Sequence, residues 1–444
     1  VPADRVRGAA YDVLTAVREQ DAYTNLVLPP LLRARQITGR DAAFATELVS
    51  GTIRRQGLYD AVLAANVDRP LAKVDPGVLD ALRLGTHQLL AMRVPTHAAV
   101  GTTVDLVRRK VGHRPSGFAN AVLRKVARHD LDGWVRRVAP DPGSDPLGYA
   151  EVAHAHPRWV VEALAESLGD RRDELDALLA ADNDAPRVTL VARPGLATVD
   201  ELVAAGGTAS RQSRYAVTLP GGDPAAVPAV AEGRAGVQDE GSQLVATALA
   251  DAALDGTDAR WLDTCAGPGG KAALLAALAT ERGGLLLAAE LQHHRAVLVR
   301  SAVPRVVTVD GTRPAWRSGT FDRVMVDAPC SGLGALRRRP EARWRKQAAD
   351  VDGLVPLQET LLDRALDAAR PGGVVAYVTC SPVLAETRGV VAAVLARRDD
   401  VRLDDAAPLL PGVTDAAGPL PGTVQLWPHR HGTDAMFLAL LRRH

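Results

Sequence analysis

The sequence predicts a multidomain fold: an all-α helical bundle, then a small α+β module, then an α/β domain whose mostly parallel sheet ends in an antiparallel hairpin. Three observations predict it. At 444 residues the chain is long enough for two to four domains. Apolar residues recur at three- and four-residue steps through the first third, and strand and helix patterns alternate from about residue 236 onward. Between these regions lies Ala139–Gly148, rich in Pro, Gly and Asp, as a boundary should be. The expected domains are therefore 1–137, a linker at 138–150, a module over 151–235, and 236–444.

Each element follows from a local pattern. Ala9, Ala10, Val13, Leu14 and Val17 share one helical face. The same period runs through Ala43–Val67, Val78–Met92, Ala98–Val107 and Phe118–Val126, with breaks at Arg69-Pro70 and Val94-Pro95. The helix from Ser116 is expected to bury Phe118, Ala121, Val122 and Val126. In the module, His156-Pro157-Arg158-Trp159 is expected to lead into a helix to about Leu168, another helix is expected over Asp173–Ala180, and Arg187–Ala192 reads as a strand. Beyond it, Arg260–Thr264, Leu285–Glu290, Arg305–Asp310, Arg323–Asp327 and Gly373–Thr379 read as strands. Lys271–Ala279, His293–Arg300, Pro356–Ala369 and Leu384–Arg397 read as the helices between and after them. Thr423–Trp427 and Ala435–Leu441 are separated by a short loop, which permits only an antiparallel pair.

Composition narrows the function. With 47% hydrophobic and 24% charged residues the chain is a folding one rather than a disordered one. No run of 18 apolar residues occurs, which speaks against a spanning helix. Asp4, Arg5, Arg7 and Asp12 leave no room for the apolar core of a secretory leader. Three widely spaced cysteines, Cys265, Cys330 and Cys380, fit neither a disulfide framework nor a zinc site. A cytoplasmic monomer without a metal is the expectation. The net charge of +1 hides an asymmetry, since residues 1–137 hold 21 Lys and Arg against 13 Asp and Glu. A basic first third suggests a polyanionic partner. Candidate contacts are Arg108, Arg109, Lys110, Arg124 and Lys125. A second basic stretch, Arg337, Arg338, Arg339, Arg343, Arg345 and Lys346 around Trp344, suits an unstacked RNA strand.

The chemistry lies at strand ends. Asp263-Thr264-Cys265-Ala266-Gly267-Pro268-Gly269-Gly270-Lys271 follows the first strand of the α/β domain and opens a helix. Glu290 ends the next strand, where a carboxylate suits ribose hydroxyls, and Asp310 ends the third, on the side of an adenine ring. Together they form an adenosine-binding set. A phosphate-binding P-loop is excluded, because Cys265 and Ala272 stand where Gly and Ser/Thr are required. A dinucleotide site shares these features. Asp327-Ala328-Pro329-Cys330-Ser331-Gly332 closes the fourth strand and Thr379-Cys380-Ser381-Pro382 the fifth, so both sulfurs should face one crevice. Ser381 as N-cap and Pro382 as first helical residue would put Cys380 at a helix N-terminus, which stabilises a thiolate. A thiolate, an acid and a nucleoside-bearing methyl donor together suit methylation of a pyrimidine at carbon 5.

The runs CAGPGGK, DAPCSG, TCSP and GTDAMF, with Val237-Gln238-Asp239-Glu240-Gly241-Ser242-Gln243, resemble the RNA cytosine-5 methyltransferases of the Nop/Sun type. The helical first third, with Gly117-Phe118-Ala119-Asn120-Ala121-Val122-Leu123-Arg124, is similar to the antitermination factor NusB. A NusB-like domain joined to such a catalytic domain is the arrangement of bacterial small-subunit ribosomal RNA methyltransferases. The resemblance implies a Rossmann-like class I methyltransferase domain using S-adenosyl-L-methionine, with small-subunit (16S) rRNA as substrate. It implies that Cys265, Ala266, Gly267, Pro268, Gly269, Gly270 and Lys271 form the cofactor loop. Glu290 would then bind ribose, Asp310 the adenine side, and Asp327 would lie near both methyl donor and target ring. Cys380 matches the attacking nucleophile and Cys330 the cysteine that assists release. Gly267 and Ala272 replace a frequent Ala and Thr, and Ala435-Met436-Phe437 replaces a more usual Gly and aromatic pair. Lys271 has two candidate partners, the donor's carboxylate or an active-site acid. The alternatives are a tRNA cytosine-5 methyltransferase and a non-catalytic RNA-binding assembly factor on the same fold. A DNA cytosine-5 methyltransferase would lack Cys380, and a nicotinamide oxidoreductase would need no cysteine pair.

Overall fold

A computed structural model describes residues 4–444. The chain forms two compact units. The first is helical. It runs to Ala165, adds Arg171–Ala185, and takes back the later segment Leu336–Arg345. Its helices include Arg5–Glu19, Gly39–Arg54, Pro76–Leu90, Thr96–Lys110 and Ser116–Val126. Their apolar faces meet in one core containing Val13, Leu48, Leu82, Val107 and Leu123. Aspartates cap the entries: Asp4, Asp75, Asp130 and Asp145 accept from the backbone N–H of Arg7, Val78, Gly133 and Gly148.

Two expectations need correction here. The helical unit does not stop at 137, and 138–150 is not a free linker. Asp145 caps the helix Pro146–Ala153, and Tyr149, Val152 and Ala153 pack on the same core. The Pro and Asp residues that signal a boundary serve here as N-cap and first helical residue. In the helix Ser116–Val126, Ala119, Val122, Leu123 and Val126 are buried, whereas Phe118 is half-buried and Ala121 is exposed.

The second unit opens with a small antiparallel sheet of β1 (Thr189–Ala192), β2 (Thr208–Ala209), β3 (Ala216–Thr218) and β4 (Ala235–Val237), ordered β2-β3-β1-β4. The large sheet follows: β5 (Arg260–Asp263), β6 (Leu285–Glu290), β7 (Val306–Thr308), β8 (Phe321–Asp327), β9 (Ala369–Thr379), β10 (Val401–Asp404), β11 (Val424–Gln425) and β12 (Phe437–Arg443). Its order is β10-β12-β9-β8-β5-β6-β7, with β11 paired to β12. The pairs from β7 across to β9 are parallel, and β12 is antiparallel to β9, β10 and β11.

Alternation along the strands feeds two cores, as a sheet covered on both faces requires. Trp261, Met325, Val374, Ala376, Leu438 and Leu440 share one core with the helices Glu240–Asp251 and Gly270–Glu281. Leu262, Val324, Val326, Val375, Tyr377 and Phe437 share the other with the helices Ala348–Ala368 and Val390–Arg397. Successive strands step outward in opposite directions from the β5–β8 pair. A crevice at the carboxyl ends of β5 and β8 is therefore the ligand position that this topology creates.

Two helix starts differ from the sequence reading. The helix expected from Pro356 begins at Ala348, capped by Gln347 and Asp350, with Pro356 inside it. After TCSP, a π-turn at Ala385–Gly389 leads into Val390–Arg397, so Pro382 precedes the helix instead of opening it.

Candidate active site

Thr264 donates its N–H to Met325 O, and Ala266 donates to Ala289 O, which pins both ends of the loop after β5 to neighbouring strands. Gly269, at φ +116°, caps the helix Gly270–Glu281, and a Cβ there would stand 3.3 Å from Val299 Cα. Only glycine gives this turn without strain. The loop closes against Glu290, whose Oε2 accepts from Gly267 N at 3.0 Å while Oε1 accepts from Gln292 N at 2.9 Å. A Cβ at Gly267 would meet Glu290 Oε2 at 2.3 Å. Gly267 is thus what lets Glu290 lie back against the loop. Asp310, beyond β7, accepts from the N–H and hydroxyl of Thr312, and these bonds hold its pKa below the ordinary carboxylate value.

Lys271 settles on the acid at the end of β8: its Nζ lies 2.9 Å from Asp327 Oδ2. Burial opposes the charge on Lys271, but Asp327 and then Cys380 hold its pKa above the ordinary lysine value. Asp263, at the end of β5, is fully buried, and burial followed by repulsion from Asp327 pushes its pKa up to about 7.

The three cysteines have different surroundings. Burial pushes the Cys265 thiol up to about 12, so it keeps its proton at neutral pH. Cys330 and Cys380 stand with their Sγ atoms 3.4 Å apart. The hydrogen bond to Cys380, then burial and the negative charge of Cys380, Glu386 and Asp327, hold the Cys330 thiol well above its ordinary range. Cys330 therefore keeps its proton at neutral pH. The helix expected to stabilise a Cys380 thiolate starts too far along the chain. The cation set near Cys380 is Lys271. Gly334 joins the two cysteine loops to the C-terminal strand: its N–H donates to Cys380 O at 2.9 Å, and its carbonyl accepts from Ala435 N at 2.8 Å. A Cβ on Gly334 would meet Ala435 O at 2.2 Å, so the wall formed by Ala435-Met436-Phe437 needs this glycine.

Sequence reasoning missed the polar groups behind the loops. Glu386 is fully buried and accepts from Ser331 and Gln358, and from Ser381. No local motif marks Glu386 or Gln358. Gln238 was legible only as part of a run. Its amide is buried without a hydrogen-bond partner among the described residues, and Gly270 adjoins it.

The basic residues divide. Arg108, Arg109, Lys110 and Arg124 are exposed, with Arg108 paired to Asp105 and Lys110 to Asp12. Lys125 is half-buried and donates to Asn66 O. The second stretch corrects the sequence reading. Arg337 is buried and Arg338 half-buried, leaving Arg339 exposed. Arg343 is fully buried within the helical unit, where it donates to Arg54 O, Ala155 O, Asp182 O and Asn183 Oδ1. Trp344 Nε1 donates to Ile53 O at 2.7 Å, and its ring packs on the helical core, so it is not a free stacking platform.

A mostly parallel sheet covered on both faces, with a glycine-rich loop after β5 and acids at the next strand ends, defines a Rossmann-like fold of the kind that class I methyltransferases share. Comparison with known proteins agrees. A model of the 16S rRNA methyltransferase RsmB/F family matches residues 252–442, and a model of the NusB family matches residues 4–128. The putative methyltransferase Rv1407 of Mycobacterium tuberculosis is 54% identical over 100% of this chain and 97% of its own length. Ribosomal RNA small subunit methyltransferase B of Pseudomonas putida is 32% identical, covering 98% of each chain. The crystal structure of PH0851 superposes with a TM-score of 0.80 at 22% identity, over 100% of this chain and 99% of that one. The chain belongs to the RsmB/F methyltransferase family and carries a NusB-family domain at its N-terminal side.

Proposed function

We propose that the protein methylates carbon 5 of cytosine in small-subunit (16S) rRNA with S-adenosyl-L-methionine, through a covalent adduct on Cys380. The observation that supports this most is the pair of thiols 3.4 Å apart at the ends of adjacent parallel strands, beside the Lys271–Asp327 pair.

The residues present fit the methyl donor. The loop Cys265–Lys271 offers backbone at close range, Glu290 and Asp310 stand at successive strand ends, and the unpartnered Gln238 amide adjoins Gly270. Bound there, S-adenosyl-L-methionine supplies an electrophilic methyl group and leaves as S-adenosylhomocysteine.

The chain's own residues supply the rest. The Cys380 thiolate adds to carbon 6 of the flipped-out cytosine, and the carbon 5–carbon 6 double-bond electrons become available at carbon 5. Asp327 is assigned to the ring nitrogen 3 edge, and the Lys271 cation paired with it offsets the negative charge that develops on the ring. After methyl transfer, a base removes the carbon 5 proton, the carbon 6–sulfur bond breaks, and the ring double bond re-forms. Cys330, which keeps its proton beside Cys380, assists this release. Arg108, Arg109, Lys110, Arg124 and Lys125 contribute phosphate contacts, and Arg339 remains the accessible member of the second stretch.

Denaturing gels with labelled rRNA and methyl donor test the assignment. Cys380→Ser should give neither methyl transfer nor adduct, because an alcohol is a much poorer nucleophile than a thiolate. Cys330→Ser should accumulate a covalent protein–RNA complex. The reverse pattern would exchange the two roles. Bisulfite sequencing of rRNA from a strain lacking the gene should show one unconverted cytosine becoming convertible, and tRNA losing the mark instead would favour the tRNA alternative.

A further inference from the structure

Each of the two paired cysteines is followed by a serine, and both serines end on one buried carboxylate. Glu386 sits in the π-turn Ala385–Gly389 and is wholly inaccessible to solvent. Its Oε2 accepts from Ser331 Oγ at 2.5 Å and from Ser381 Oγ at 2.6 Å. Its Oε1 accepts from Ser331 N at 2.7 Å and from Gln358 Nε2 at 3.1 Å. Gln358 Nε2 also donates to Pro329 O at 2.9 Å, so the residues on both sides of Cys330 are tied to the same centre. The two serine hydroxyls lie 3.0 Å apart. Tyr377 OH donates to the Glu386 carbonyl at 2.7 Å and fixes the turn from the β9 side.

A buried carboxylate is costly unless it is fully hydrogen-bonded, and this one is met by four donors. Three of those donors belong to residues adjoining the cysteines, and the fourth, Gln358, reaches the backbone on the other side of Cys330. The arrangement is also the reason the helix after TCSP starts late. Ser381 Oγ both donates to Glu386 and accepts from Val383 N, so the segment turns inward before the helix begins.

We propose that Glu386 is the positioning residue of the catalytic pair: by holding Ser331 and Ser381 on one oxygen it sets the distance between Cys330 and Cys380. The proposal rests on the cysteine roles given above. Glu386 does not touch substrate. It acts through the two loops, which makes methyl transfer sensitive to an atom on the far side of the sulfurs. A displacement of about 1 Å in such a pair costs on the order of 100-fold in rate.

The test uses the full chain with Glu386→Ala, Glu386→Gln, and the serine variants Ser331→Ala and Ser381→Ala. Glu386→Ala should lower kcat by about 100-fold, with the KM for rRNA and the calorimetric affinity for S-adenosyl-L-methionine unchanged. Glu386→Gln should recover most of that loss, since an amide keeps an oxygen for Ser331 N and Gln358 and offers its N–H groups to the hydroxyls. A second readout needs no RNA: the rate at which diamide closes a Cys330–Cys380 disulfide, followed by mass spectrometry. That rate should fall at least tenfold in Glu386→Ala and return in Glu386→Gln. If Glu386→Ala leaves disulfide closure unchanged, or if folded Glu386→Gln is as impaired as Glu386→Ala, the positioning role is overturned. Should Glu386→Ala fail to fold, the serine variants decide: each should slow closure, and closure at the wild-type rate in both would overturn the proposal. Retained methylation in Cys380→Ser would instead sink the assignment of the nucleophile, while disulfide closure would still read the geometry.

Discussion

Two arginine-rich stretches of similar composition have opposite fates. Along Arg108–Arg128 the cations sit at helix ends and point outward, with Arg108, Arg109, Arg114, Arg124 and Arg128 all exposed. In Leu336–Arg345 the chain is drawn into the helical unit. Glu341 there accepts from Thr24 N and Thr24 Oγ1, and Arg345 donates to the carbonyls of Val17, Asp21 and Ala22. The difference is one of available acceptors. Helix C-termini present carbonyls without intrahelical partners, and a guanidinium with five N–H donors can satisfy several at once. Positive charge in a sequence therefore lies open on the surface in one place and satisfies helix ends in another.

Arg343 offers the largest expected effect. Burial lowers its pKa to about 10, so it remains charged at neutral pH among four oxygen acceptors. Arg343→Ala should cost about 3–5 kcal/mol in denaturant unfolding of the helical unit. Arg343→Lys should recover little, because one ammonium cannot reproduce a planar fork. A loss under about 1 kcal/mol would mean that Arg343 is no more structural than an exposed arginine. Trp344→Phe comes next. It removes the bond to Ile53 O while keeping an aromatic body, and a loss of about 1 kcal/mol is expected.

The triple change Arg108→Ala, Arg109→Ala, Arg124→Ala should lie within about 0.5 kcal/mol of the parent in stability. Its effect belongs to RNA binding. The slope of log affinity against log salt should flatten by about one for each phosphate that is no longer neutralised, measured by filter binding at several salt concentrations. An unchanged slope would remove this surface from the RNA interface. Arg339→Ala, exposed beside Tyr23, should change stability least, again by no more than about 0.5 kcal/mol, and should shift the slope by at most one. Deleting residues 1–137 is a poorer tool than these substitutions, because it also removes Arg54 and Ile53, which hold Arg343 and Trp344.

Much of the catalytic sheet was legible because buried parallel strands leave apolar runs that end in glycine or acid. β5, β6 and β8 fall close to where those runs place them. β10 was missed: Val401-Arg402-Leu403-Asp404 is short, half polar, and becomes a strand only beside β12. Pro356 misled by its usual place at a helix start. Here an interior proline is tolerated in a helix anchored by its own capping box and by Leu361, Leu362 and Leu366 in the core. The glycine-rich loop after β5 and the cysteines were readable as motifs. The Lys271–Asp327 pair and the links from Glu386 to Ser331 and Gln358 were not, because they join residues far apart in the chain whose meeting depends on strand order.

The segment Leu336–Arg345 also sets an order of manufacture. A ribosome delivers the helical unit through Ala185 early, but the piece Leu336–Arg345 that the unit also contains is encoded beyond Pro186–Ala335. At roughly 5–20 residues per second, that interval lasts about 8–30 seconds. Until then the carbonyls of Arg54, Ala155 and Asp182 wait for a guanidinium not yet synthesised, and water must serve in its place. By the time Arg343 arrives, the strand ending at Asp327 and the loop bearing Cys330 have already left the exit tunnel. The N-terminal unit is thus begun first and completed only after the loop bearing Cys330 exists and before the one bearing Cys380 does.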